Sequence, residues 1–185
     1  MIGKTHGDTV EEYGDLDILK EKLGDDELPH VRAIEVYNDG SLCFGYQLFY
    51  HNNVDVDRHR ASYNRRYERF ELEHDEYLVK VGGRFGDICD ALSFTTSQGR
   101  TFTAGGYGGD SMTCETNVMD SSDEDGEMKP AEKPYIVALG AGLGGHLHHV
   151  KCAYIDLAKR PDLEEKLQTQ FSRVAPEKGN DYGSF

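Results

Sequence analysis

Residues 75–110, DEYLVKVGGRFGDICDALSFTTSQGRTFTAGGYGGD, indicate the fold of this chain. A tight glycine turn, Gly86–Asp90, stands in the middle of the stretch. The residues after the turn place apolar or β-branched side chains at every second position, namely Leu92, Phe94 and Thr96. This alternation is typical of a β-strand with one buried face.

Two shorter stretches repeat the design, one at Gly40–Phe44 and the other at Gly144–His148. Each is followed by an alternating strand, carried by Tyr46, Leu48 and Tyr50 in the first and by Val150, Cys152 and Tyr154 in the second. An apolar or nearly apolar residue stands three places after the first glycine of every turn, at Cys43, Cys89 and Leu147. Three glycine turns feeding three amphipathic strands predict a threefold all-β repeat.

The composition narrows the possible functions. The chain has 185 residues and a formal net charge of -14, which disfavours binding to nucleic acid or to an anionic membrane. It has no apolar run long enough to span a bilayer, and its first residues lack the apolar core of a secretory signal. We therefore expect a soluble, cytoplasmic protein. Its four cysteines are expected to be reduced thiols, since none has zinc-ribbon or redox spacing.

Several motifs resemble those of the jacalin-related lectins, and the likeness covers about Leu28 to Leu157. The residues that carry it are Val31–Val36, Glu76–Gly83, Gly86–Thr96, Gly105–Asp110 and Ile136–Tyr154. The resemblance implies a β-prism I fold, in which three Greek-key sheets of four strands surround a pseudo-threefold axis. It also implies metal-independent binding of mannose-, glucose- or galactose-type sugars, with no cofactor. In this family a Gly-x-x-x-Asp turn and a facing glycine-rich loop form each sugar site.

Only the second of the three turns keeps the residues that this pattern requires. The first turn has Phe44 at the aspartate position, and the third has His148. The second keeps Asp90 and is followed about twenty residues later by a glycine-rich loop. The predicted sugar-binding residues are Gly86, Asp87, Ile88, Cys89, Asp90, Gly105, Gly106, Tyr107, Gly108 and Gly109. The carboxylate would accept hydrogen bonds from sugar hydroxyls, and glycines would let the backbone approach the ring.

Bland interpretations compete with this one. The glycines could simply shape turns, with Asp90 capping its own loop, and Tyr107 could be an exposed loop residue rather than a stacking platform. His146 and His148, which share one face of a strand, and the adjacent His149 could suggest a metal site. The sequence points to no further ligand that would complete it, and a plain polar turn is the competing interpretation. The acidic residues 121–132 match the spacing of a calcium loop but have a serine first and no flanking helices.

The segments outside the family pattern define the predicted domain organisation. Residues 1–28 form an acidic extension with a short helix, 29–158 form the prism with an acidic inserted loop at 111–133, and 159–185 form a helix and tail. The N-terminal helix is predicted from Leu16, Leu19 and Leu23. The C-terminal helix is predicted to begin at Pro161, with an apolar stripe at Leu163, Leu167, Phe171 and Val174.

Two functions remain open at this point. The first is a carbohydrate-binding, lectin-like protein with one site around Asp90. The second is a non-catalytic scaffold subunit that docks protein partners through the terminal helices and the basic stretch Arg58–Arg69, whose arginines could equally form salt bridges on a solvated strand pair. No arrangement of catalytic residues is evident, so we do not expect an enzyme. The identity of the sugar and the possibility of a homo-oligomer are left open.

Overall fold

A computed structural model describes residues 1–3, 11–24, 27–51, 54, 56, 59–60, 66–119 and 128–174. Strands dominate the described part of the chain, and two α-helices lie near its ends. In chain order the elements are β1 (Ile2–Gly3), β2 (Glu11–Gly14), α1 (Leu16–Leu23), β3 (Val31–Asn38), β4 (Cys43–Tyr50), β5 (His59–Arg60), β6 (Tyr67–Glu71), β7 (Leu78–Phe85), β8 (Cys89–Thr96), β9 (Thr101–Gly105), β10 (Asp110–Thr113), β11 (Asn117–Met119), β12 (Met128–Pro130), β13 (Pro134–Leu143), β14 (Leu147–Asp156) and α2 (Pro161–Val174).

The strands form three antiparallel sheets of four strands, as expected for a β-prism. The first sheet has the order β5-β4-β3-β6, the second β10-β7-β8-β9 and the third β1-β14-β13-β2. A long hairpin therefore lies at the centre of each sheet, and a shorter strand pairs with each of its outer edges. Strands β11 and β12 form a separate small hairpin. The predicted threefold all-β repeat is confirmed.

The predicted alternation corresponds to the buried faces of the central hairpins. Tyr46, Leu48 and Tyr50 of β4 are buried, as are Leu92, Phe94 and Thr96 of β8. Side chains of all three sheets thus meet in one core, which stabilises the prism mainly by removing apolar surface from water. In β14 the pattern holds only for Val150, because Cys152 and Tyr154 are half-buried. Both residues nevertheless pack against the core.

The N-terminal residues differ from the predicted separate extension. Strands β1 and β2 pair with the two edges of the β13–β14 hairpin and complete the third sheet. These strands have two and four residues, which is too short for an alternating pattern to identify them. Between them and β3, Asp15 is buried and its Oδ1 lies 2.5 Å from His59 Nε2, which ties the start of α1 to the first sheet.

The predicted inserted loop 111–133 also contains prism structure. Strand β10 extends to Thr113 and pairs with β7, and the following Cys114 is buried in the core. The calcium-like spacing falls mostly on residues 120–127, which lie outside the described residues. The sequence analysis did not predict β10, the fourth strand of the second sheet. The strand is short, its side chains are largely exposed, and it adjoins an acidic segment.

Helix α2 packs against its own chain. Leu167 and Phe171 are buried, and the Phe171 ring lies 4.8 Å from that of His30 and 6.3 Å from that of Tyr77. The Gln170 side chain accepts a hydrogen bond from the Leu28 amide at 2.9 Å and donates one to the Leu28 carbonyl at 3.1 Å. No helix in the described part of the chain is long and apolar enough to cross a membrane.

Candidate functional site

The three hairpin turns occupy equivalent places in the three sheets. The first residue after each turn pairs back across it, in the pairs Asn38 with Cys43, Phe85 with Cys89 and Leu143 with Leu147. Cys43, Cys89 and Leu147 are all fully buried, as their common spacing from the glycine suggests. The next residue in each strand is Phe44, Asp90 or His148. The prism thus presents three comparable positions, and only one of them carries a carboxylate.

The second turn holds Asp90 against its own backbone. The Gly86 amide lies 3.0 Å from the Ile88 carbonyl oxygen and 3.2 Å from Asp90 Oδ2. Asp90 is half-buried, whereas Asp87 is exposed at the tip of the turn. The Cys89 side chain faces the core, and burial raises the pKa of its thiol. Among the predicted turn residues, Cys89 can therefore reach a ligand only through its backbone.

The glycine-rich loop between β9 and β10 lies directly on Asp90. The Gly106 amide donates a hydrogen bond to the Asp90 carbonyl at 2.8 Å. A Cβ atom at Gly108 would overlap Asp90 Oδ1, and one at Gly109, where φ is +59°, would stand 2.6 Å from Asp90 Oδ2. Glycine is required at both positions because any side chain would collide with the carboxylate. The structure thus brings the predicted turn and the predicted loop together.

Tyr107 lies at the tip of this loop. Its side chain is 94% exposed, so the ring is free to meet a ligand from solvent. Aromatic rings of this kind offer an apolar face beside polar groups.

Arg84, at the end of β7, is a site residue that the sequence analysis missed. Its Nε donates to the carbonyls of Tyr107 at 3.0 Å and Gly108 at 2.8 Å, and its Nη2 donates to that of Gly109 at 2.7 Å. One guanidinium thus holds three consecutive carbonyl groups of the glycine-rich loop. The only hint in the sequence is an arginine just before the second turn, where the other two hairpins have Tyr37 and Gly142.

Comparison with known families agrees with this architecture. The family model described as the Jacalin-like lectin domain matches residues 1–125, which is more than half of the chain. The chain belongs to the jacalin-like lectin domain family. The match begins at residue 1, in agreement with the finding that β1 and β2 are part of the jacalin-like prism. Comparison with curated protein sequences gave no match.

Solved structures of lectins share the jacalin-like fold. A prostate-specific WGA16 glycoprotein lectin superposes with a TM-score of 0.60 at 12% identity, covering 83% of this chain and 96% of that one. The mannose-binding lectin from champedak gives 0.57 at 19% identity, covering 83% and 93%. Artocarpin in complex with mannopentose gives 0.55 at 20% identity, covering 83% and 95%. At these identities the likeness establishes the fold alone.

The first jacalin-like turn is built differently from the second. It contains one more residue between its paired ends, and Asp39 Oδ1 accepts hydrogen bonds from the amides of Ser41 at 2.8 Å and Leu42 at 2.9 Å. These hydrogen bonds, that from Leu42 first, hold the pKa of the Asp39 carboxyl below its usual range. The turn amides are therefore already used by a side chain of the turn itself, and Phe44 offers no acceptor in place of Asp90.

The histidines of the third turn do not converge. The His146 ring lies 5.2 Å from the ring of Phe44, while His149 Nε2 lies 2.9 Å from Glu12 Oε1. Within the described residues, no group of three His, Cys, Asp or Glu side chains is arranged to hold a metal ion. The prediction that the third site is incomplete rests on His148, which stands where the second hairpin has Asp90.

The basic stretch Arg58–Arg69 is described only in part. Its last member, Arg69, lies 2.9 Å from Glu35 Oε1 and 3.0 Å from Glu71 Oε1, and its guanidinium covers the ring of Phe49 at 4.6 Å. Arg69 is thus held within the first sheet by ion pairs and stacking. For Arg69, these contacts agree with the alternative that the arginines form salt bridges on a strand pair.

Proposed function

We propose that this protein binds carbohydrate at one metal-independent site formed by the turn 86–90 and the loop 105–109. The observation that carries the proposal is the half-buried Asp90 carboxylate with the glycine-rich loop lying against it. Neighbouring sugar hydroxyls can donate hydrogen bonds to the two carboxylate oxygens, and backbone amides can donate to other oxygens of the same ring. Hydrogen bonds to an ionised acceptor are stronger than neutral ones, which suits a ligand with little apolar surface.

Mannose-type sugars are the first ligands to test. The structural neighbours include a lectin described as mannose-binding and a lectin solved with mannopentose. Asp90 and the glycine loop supply a charged acceptor with close backbone approach, and the exposed ring of Tyr107 can lie along a second sugar residue. We therefore propose an oligosaccharide of mannose as the ligand class, bound without chemical change.

The competing proposal, a docking scaffold, has less support. The apolar residues Leu19, Leu167 and Phe171 of the two terminal helices are buried against the chain's own prism. Arg69 is engaged by Glu35 and Glu71. These four residues therefore have roles inside the molecule, whereas Asp90 is only half-buried and the neighbouring Tyr107 is exposed to solvent.

The test is a glycan-array screen followed by titration calorimetry with mannotriose, on the wild type and on Asp90→Ala. Removal of the carboxylate should weaken binding by roughly 100-fold or more, since two charge-assisted hydrogen bonds are lost. The matched control is His148→Ala, which changes the equivalent position of the third hairpin and should leave binding intact. Retained binding in Asp90→Ala would place the sugar elsewhere, and a wild type that binds no glycan would favour the scaffold.

A further inference from the structure

The orientation of the glycine-rich loop follows from its contacts with Arg84. The guanidinium donates hydrogen bonds to the carbonyl oxygens of Tyr107, Gly108 and Gly109 on one side of the loop. In a trans peptide the carbonyl and the amide of the next residue point in opposite directions. The amides of Gly108 and Gly109 therefore point away from Arg84.

These two amides are left available for a ligand. Among the residues that the structure describes, none accepts a hydrogen bond from the Gly108 or Gly109 amide. Both glycines lie against the Asp90 carboxylate, which accepts hydrogen bonds. Donors and acceptors are thus placed side by side, as a ligand with adjacent hydroxyl groups requires, because each hydroxyl can both donate and accept.

The other hairpins have no such arginine. Gly142 stands at the equivalent position of the third hairpin, and a Cβ atom there would run into the ring of His149. Tyr37 stands at that position in the first hairpin, and its hydroxyl lies 3.0 Å from Glu35 Oε2. A cation at this place accompanies the single turn that keeps its aspartate.

We propose that Arg84 is a positioning residue of the sugar site, which holds the glycine-rich loop so that its amides face the ligand beside Asp90. The proposal rests on the proposed carbohydrate binding. Without the guanidinium, three exposed carbonyls would lose a shared charged donor, and a loop of four glycines around one tyrosine would sample many conformations. Ligand affinity would then fall by the fraction of time that the loop spends in the competent conformation.

The experiment compares Arg84→Ala and Arg84→Lys with Lys80→Ala. Lys80 is an exposed cation on the same strand, β7, and is therefore a matched control for the loss of positive charge. ¹⁵N relaxation of the Gly106, Gly108 and Gly109 amides, without sugar, reports loop order directly. Calorimetry with mannotriose reports affinity, and thermal unfolding reports global stability.

In Arg84→Ala we expect the order parameters of these amides to fall from about 0.85 to below about 0.6, with little change elsewhere. Mannotriose affinity should drop about tenfold, as expected if the competent loop conformation falls to about a tenth of the population. Arg84→Lys should lie between, because an ammonium group cannot reach three carbonyls in the planar arrangement of a guanidinium. Lys80→Ala should match the wild type in all three measurements.

Two results would overturn the proposal. One is an Arg84→Ala loop that stays as ordered as in the wild type, and the other is a disordered loop whose mannotriose affinity is unchanged. In the first case, a lower unfolding temperature would show that Arg84 has a merely structural role. If the wild type binds neither mannotriose nor any sugar of the glycan array, the carbohydrate proposal fails. A loop whose order depends on Arg84 would in that case still establish the contact that holds it.

Discussion

The second and third hairpins have the same backbone geometry at their turns and differ in the side chains that follow. Both place three residues between the paired ends of the turn, and in both the first glycine amide lies 3.0 Å from the carbonyl two residues on. Both bury the residue that follows the turn, Cys89 in one and Leu147 in the other. The difference begins at the next position, where Asp90 in the second hairpin corresponds to His148 in the third.

This comparison separates the requirements of the fold from those of the site. A glycine turn and a small apolar residue are enough to close a hairpin of the prism, because burial and backbone hydrogen bonds stabilise it. The proposed sugar site needs a carboxylate and a loop of defined orientation in addition. The second hairpin has both. In the third sheet, by contrast, β13 packs against α1, a contact that stabilises the fold.

The largest effect is expected from adding a methyl group to the loop that covers the second hairpin. Gly109→Ala would place an alanine at φ +59°, with its Cβ 2.6 Å from both Gly86 N and Asp90 Oδ2. Left-handed strain and the forced backbone shift together should lower the free energy of unfolding by about 3 kcal/mol. Urea denaturation measures this change, and mannotriose binding should be lost with it.

Gly145→Ala changes an open glycine at the tip of the third turn. A Cβ atom at Gly145 would have nothing within 4 Å, and its φ lies outside the left-handed region. The free energy of unfolding should change by less than about 0.5 kcal/mol. Equal effects of the two substitutions would contradict the view that the contacts of Gly109 with Gly86 and Asp90 make it costlier to replace than the open position Gly145.

The sequence was informative where a pattern repeats and uninformative where a contact is made at a distance. Alternation on β4 and β8 predicted the core faces, and the glycine spacing aligned Asp90 with His148. Strands β1 and β2 were missed because edge strands of two and four residues carry no period. Arg84 was missed because its partners lie 23 to 25 residues further along the chain.

A second prediction concerns acid, which should weaken the fold without distinguishing the two hairpins. His30 is 1% exposed and stacks on His51 with 4.3 Å between ring centroids, and its Nε2 lies 3.0 Å from the Glu76 carbonyl. Burial lowers the pKa of His30 from 6.5 to about 4. The unfolded chain therefore takes up a proton at a higher pH than the folded one. The stabilisation is complete above pH 6.5 and is lost as the pH falls towards 4.

At pH 5 this loss should amount to about 2 kcal/mol relative to pH 8. Urea denaturation at the two pH values measures it, and His30→Gln, which cannot ionise, should remove that part of the difference. His51, His74 and Asp75 also act on His30, and burial lowers the pKa of His51 in the same direction, so some dependence remains in the variant. Asp90→Ala and His148→Ala should show the wild-type loss. An undiminished pH difference in His30→Gln would contradict the role assigned to His30.

The smallest effect is expected from His148→Asp, which gives the third turn the acid it lacks. The new carboxylate would occupy the position equivalent to Asp90, but Gly142 offers no guanidinium where Arg84 stands in the second hairpin. If orientation of the facing loop is as necessary as the carboxylate, calorimetry with mannotriose should still give one site per chain with unchanged affinity. The same substitution in an Asp90→Ala background should restore no binding. A second site in the single variant, or binding in the double variant, would show that a carboxylate on a jacalin-like turn suffices, and the role assigned to Arg84 would then be limited to the loop that it touches.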